Sequence, residues 1–324
     1  MFSFNDQIKC VNGRTMPKFS FASSLPLPPQ EASLPRITIE PWMQIDPGDV
    51  FLEGPAFDRQ GNLFLMAAYD NRVNRRILKI TPTKEMTVVL QQKGVRMCGL
   101  AIHEDGRIFI ACVTGELLTV NPDGSNVTPI IARYQNKPKL FNDLVFNSHG
   151  YLYATDFTGY HPIETGGVYR FSPDLKAVEP IHQHIQSANG VALAPDDKAL
   201  WVSSSHANEV FYLRLQEDRV SLRAATIPYR LTGTGGGDGI KVDQDGNMYL
   251  AINMQGRILV LNKNGFPIAN ILMPGRDKGK LLITTNLAFK PNTDEAFVTV
   301  SGEGGAWIYR FKGLAKGLPL FSHR

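Results

Sequence analysis

At 324 residues, with 43% hydrophobic and only 20% charged content, the chain can bury a large core and is too apolar to read as disordered. A formal charge of +4 without any long run of Lys or Arg argues against a nucleic-acid-binding stripe. Three cysteines, Cys10, Cys98 and Cys112, cannot build a disulfide framework, and the odd count points to a reducing compartment, so cytoplasm is the expected location.

The opening MFSFNDQIKCVNGRTMPKF carries polar and acidic residues where a secretory signal needs an apolar core, and no later stretch is long enough to span a bilayer. No membrane partner is expected. SSLPLPPQEASLP follows, rich in Pro and Ser, so residues 1–36 are expected to form an irregular arm beside a single domain covering 37–324.

From Glu53 onward one phrase recurs, an apolar pair, a turn and a strand that ends on an aromatic residue. It reads AFDRQGNLF to Phe64, AIHEDGRIF to Phe109, VFNSHGYLY to Tyr153, ALAPDDKALW to Trp201, KVDQDGNMY to Tyr249 and AFKPNTDEAF to Phe297. Successive intervals of 45, 44, 48, 48 and 48 residues are propeller-blade periods. Each phrase predicts a hairpin, because an inner apolar strand turns through Gly, Asp or Asn into a second strand. A third strand follows with period-two alternation, as in ILKITP from Ile77 or AWIYRFKG from Ala306, then a weaker fourth such as MTVVLQQ from Met86. The expected architecture is an all-β, six-bladed propeller with four antiparallel strands per blade. ITIEPWMQI from Ile37 resembles a fourth strand with no first three, so it is expected to complete the sixth blade, whose other strands come from the C-terminal end. No Trp-Asp dipeptide occurs, which argues against the WD class.

In a propeller the start of each inner strand stands at the mouth of the central channel. The equivalent residues there are Glu53, Cys98, Asn142, Asn189, Asp238 and Thr285. Taken singly, an Asn or Asp before a strand is an ordinary turn residue. Four oxygen-bearing side chains at one register, with two negative charges, instead suit a hard cation such as calcium. Glu53, Asn142, Asn189 and Asp238 are the expected metal ligands. Met97, Cys98, Thr155, His206 and Thr285 are expected to form the substrate-facing wall. TGTGGGDG from Thr232 has the spacing of neither a dinucleotide nor a P-loop signature and is expected to let the backbone approach the channel closely at Asp238. His182 and His184 fall on an outer strand, where solvated histidines are expected rather than half of a zinc site. The chain has no G-x-S-x-G elbow.

The same segments carry a resemblance: LEGPAFDRQGNLFL, FNDLVFNSHGYLYATD, SANGVAL and GGDGIKVDQDGNMYLA are similar to motifs of the SMP-30/gluconolactonase/luciferin-regenerating-enzyme family, in order, over nearly the whole chain after residue 37. The lactonase branch of that family is the nearest likeness. The resemblance implies a calcium-dependent hydrolase of lactones, with the metal on Glu53, Asn142, Asn189 and Asp238 and with Asp238 as the acid/base. It also marks departures. The lactonase branch has Asp where Asn142 stands and Ser where Gly239 stands, whereas Asn142 matches the gluconolactonase branch. ACVTGELL from Ala111 is too short for that branch's second calcium site, so one metal is expected. The expected partner is a small-molecule lactone. The alternatives are a phosphotriesterase acting at the same metal, and a propeller that binds a ligand without catalysis.

Overall fold

A computed structural model of the chain describes residues 25–130, 133–160, 165–216, 218 and 221–323; Cys10 and most of the N-terminal arm lie outside them. Six four-stranded antiparallel sheets follow one another around a channel. Their inner strands are Phe51–Phe57, Met97–Ile102, Phe141–Phe146, Ala188–Leu193, Gly237–Val242 and Ile283–Phe289, the first five each followed by its second, third and outer strand and the sixth by its second and third. The sixth sheet is closed as the repeat predicts, with Ile39–Asp46 pairing antiparallel to Ala306–Lys312 in the register Ile39 to Phe311 and Met43 to Ile308. Trp42 then stacks edge-on against Phe297 at 5.0 Å.

A four-stranded blade has two apolar faces and cannot cover either alone, so the core lies between blades. One cluster joins Phe64, Met66 and Ile77 of the first blade to Met97, Leu100 and Ile108 of the second, and five similar clusters continue around the ring. The aromatic residues that mark the repeat, from Phe64 to Phe297, are all buried in these clusters. Burial of each such side chain contributes about 1.5–3 kcal/mol.

Two segments outside the repeat close the body. Residues 25–36 are held to the fourth and fifth blades. Glu31 is fully buried and ion-paired with Arg257, Tyr229 donates its hydroxyl to Glu31 at 2.5 Å, and Asn270 donates to the Glu31 carbonyl at 3.1 Å. At the far end of the channel Leu318–Phe321 cover an apolar cavity of about 70 Å³. Phe321 packs against Phe146 and His103, and His323 reaches the Phe57 carbonyl at 3.3 Å.

Candidate metal centre and channel site

All six inner strands break register at their channel-mouth residue. The shifts fall between Glu53 and Ala56, Met97 and Leu100, Phe141 and Leu144, Ala188 and Val191, Gly237 and Ile240, and Thr284 and Asn286. A bulge inserts an extra residue and re-aims the side chains on either side of it. In the second to fifth blades the channel-mouth residue and the one after it are both displaced from the ladder, whereas Glu53 in the first and Asn286 in the sixth keep a partner; the positions after the mouth residue read Gly54, Gly99, Asp143, Gly190, Gly239 and Asn286. Small residues are required where the strands crowd: a Cβ on Gly190 would lie 2.3 Å from the Asp238 carbonyl. In the glycine-rich loop Gly236, at φ +99°, passes so close to the Ser205 carbonyl of the neighbouring blade that a Cβ would fall 2.0 Å from it.

Glu53 and Asp238 are buried and near enough to repel each other. Glu53 Oε1 accepts hydrogen bonds from its neighbour Gly54 N–H and from Asn286 Nδ2, both at 2.9 Å. Burial, with a smaller contribution from Asp143, pushes its carboxyl up to about 7, against the pull of Asn286, Gly54 and Lys241. Asp238 Oδ2 accepts from Asn253 at 2.8 Å. Burial first and Glu53 second raise Asp238 well above the carboxylate range. Asn189 donates to Ser205 Oγ at 3.0 Å, while its Oδ1 is buried with no hydrogen-bond donor among the described residues. Asn142 is partly exposed on the third inner strand.

Two repelling carboxylates and an acceptor oxygen without a donor form an arrangement that a hard, oxygen-seeking cation would complete. This donor set fits such an ion. Among the described residues no group of three or more His, Cys, Asp or Glu side chains is arranged to hold a metal, and the fit here includes two amides. With divalent cations removed, Glu53 keeps a proton in the folded state that the unfolded chain releases, between its ordinary 4.5 and about 7. Stability of the chelated protein is therefore expected to fall as pH rises through that window, and the fall is expected to shrink with a divalent ion present. Thermal melts at pH 5 and 8, with and without chelator, measure both.

The expected wall residues divide. Met97, Thr155 and Thr285 have no accessible surface. Thr155 Oγ1 accepts from Asp143 N–H at 3.0 Å and donates to the Asn189 carbonyl, tying the third blade to the fourth. Thr285 Oγ1 donates to the Leu52 carbonyl at 2.7 Å, tying the sixth to the first. These threonines brace the ring from within. Cys98 is buried beside Arg75, and burial pushes its thiol up to about 11, which leaves it a poor nucleophile. His206 is exposed, with Nδ1 2.6 Å from Ser187 Oγ. His182 ends up against Phe211, and the outer strand stops at Gln183, so His184 does not continue its alternation.

Four residues of the site escaped the sequence reading: Asp143, Asn286, Asn253 and Lys241. Asp143 is 1% exposed and its Oδ2 lies 3.5 Å from Asn286 Nδ2 and 3.7 Å from Lys241 Nζ. The signal for Asp143 and Asn286 lay one register further on, where four glycines are interrupted by one Asp and one Asn.

The sequence pattern of the family described as "SMP-30/Gluconolactonase/LRE-like region" matches residues 51–302. A Staphylococcus saprophyticus protein named Lactonase drp35 is 40% identical over 305 residues, covering 91% of this chain and 93% of its own. Among solved structures, a gluconolactonase from Xanthomonas campestris aligns with a TM-score of 0.70 at 20% identity, over 89% of this chain and 98% of that one. A calcium-binding regucalcin from Agrobacterium tumefaciens also aligns at 0.70 and 20% identity, over 88% of this chain and 98% of that one.

Proposed function

Since the chain belongs to the SMP-30/gluconolactonase/LRE-like family, we propose that it opens lactone rings at the mouth of the propeller channel, with calcium on Glu53, Asn142, Asn189 and Asp238. The observation that carries this reading is the pair of buried carboxylates, Glu53 and Asp238, beside the unpartnered Asn189 Oδ1. The name of the curated relatives supplies the substrate class. The chemistry such an ion supplies when bound is polarisation of an ester carbonyl and stabilisation of the negative charge that develops on it.

Asp238 performs the proton transfers. Its carboxylate takes a proton from the attacking water as the water oxygen bonds to the carbonyl carbon, and returns it to the ring oxygen as the C–O bond breaks. The Asn253 amide, 2.8 Å from Oδ2, fixes the orientation of that carboxylate. Glu53, held by Asn286 and Gly54, is a positioning group whose oxygens are directed by the bulge. The braces at Thr155 and Thr285, together with Ser203, whose hydroxyl donates to the Asp238 carbonyl at 2.6 Å, keep neighbouring blades in fixed relation, which preserves the spacing of the four donors.

Chelator-treated protein is expected to lose hydrolysis of aromatic, sugar and acyl-homoserine lactones and to regain it with calcium. Lactone turnover that survives complete removal of metal would overturn the assignment. Faster turnover of an aryl phosphotriester than of every lactone would move the activity to phosphoesters.

A further inference from the structure

The register just below the bulges is filled by Ala56, Ala101, Val145, Ala192 and Ala288 in five blades and by Lys241 in the fifth of the six. All six residues border the apolar cavity closed by Leu318–Phe321. The alanine and valine side chains at this register offer an ammonium group no partner, and its four-carbon stem lets it reach the next layer. There Lys241 Nζ donates to Asn286 Oδ1 at 3.1 Å and to the Ile240 carbonyl at 3.0 Å, and stands 3.7 Å from Asp143 Oδ2. The Lys241 side chain is 15% exposed and that of Asp143 1%, so water screens the pair little.

Among the described residues the channel core thus holds three carboxylates, Glu53, Asp143 and Asp238, with Lys241 as the cation beside Asp143, while Arg75 stands at the rim on the Met97 carbonyl and Cys98 Sγ. We infer that Lys241 is a built-in counterion that neutralises Asp143, holding the ring at two negative charges and so matching it to a divalent ion. Lys241 is a positioning residue that acts through Asp143 and Asn286. The inference rests on the metal reading of the ring, but its consequence for the metal-free protein does not.

Chelated protein titrated separately with terbium and with calcium tests the charge match, because an uncancelled Asp143 favours a trivalent over a divalent ion. Lys241→Met is expected to raise the preference for terbium over calcium by about tenfold. Lys241→Met/Asp143→Asn is expected to return the preference to that of the parent. A packing role alone would weaken both ions together and leave the ratio unchanged. In chelator the single variant is expected to melt about 5–10 °C below the parent, and the double variant to recover. An unchanged ion ratio, or a double variant no more stable than the single one, would overturn the inference, and this second criterion covers a single variant that fails to fold. If the parent takes up neither ion, the metal reading of the ring fails, and the melts still decide whether Lys241 offsets Asp143.

Discussion

Asp238→Asn is expected to leave the propeller folded and to lower lactone turnover by about two to four orders of magnitude, the usual contribution of a positioned acid/base. The substitution is isosteric and keeps a carbonyl oxygen able to accept from Asn253, 2.8 Å from Oδ2 in the parent. What is lost is the ability to take and return a proton. The same change removes one of two buried carboxylates that repel each other, so the chelated variant is expected to melt no lower than the parent. Two measurements separate the roles of Asp238: kcat on a lactone, and calcium affinity by titration. A large fall in kcat with calcium still bound supports proton transfer, whereas loss of calcium binding in proportion to activity would make Asp238 a ligand only.

Arg257→Met is expected to destabilise the protein by about 3–5 kcal/mol, the usual cost of breaking a buried ion pair by removing one partner. Arg257 and Glu31 are both without accessible surface, and Arg257 also donates to Asn270 Oδ1 at 3.0 Å. Removal of the guanidinium leaves the Glu31 carboxylate buried, with the Tyr229 hydroxyl directed at it. The pair itself is imperfect, because Arg257 Nη2 is buried without a partner. Glu31→Leu/Arg257→Met is therefore expected to recover much of the loss, since two apolar side chains leave no uncompensated charge. Urea unfolding of the parent, both single variants and the double variant gives the coupling. Additive losses would show that residues 25–36 are held by packing and backbone contacts rather than by this pair.

The repeat made the fold legible. A blade is a local unit, and its turn residues, period-two strands and terminal aromatic residue are written within a short stretch, so six copies could be aligned by spacing alone. The orphan strand at Ile39–Asp46 could be placed for a similar reason, because a blade with three strands leaves an edge that a fourth must cover. Equivalence of register then located Glu53, Asn142, Asn189 and Asp238 at one level of the channel. Wall residues were less legible. Thr285 has the channel-mouth register, Met97 precedes it in its blade and Thr155 lies on a second strand, and the burial of all three depends on how neighbouring strands crowd, which no single blade reports.

By itself the sequence determined the number of blades, the order of strands, the closure by the N-terminal strand and the place of Glu53, Asn142, Asn189 and Asp238 at the start of their inner strands, since these follow from periodicity and alternation within each repeat. Only the tertiary structure decided which side chains meet beneath them. Asp143, Lys241 and Asn286 come from the third, fifth and sixth blades and approach one another because the ring closes and a bulge in each inner strand turns a further residue inward. Contacts across a channel join residues about a hundred positions apart, and their geometry depends on the summed twist of every blade between them.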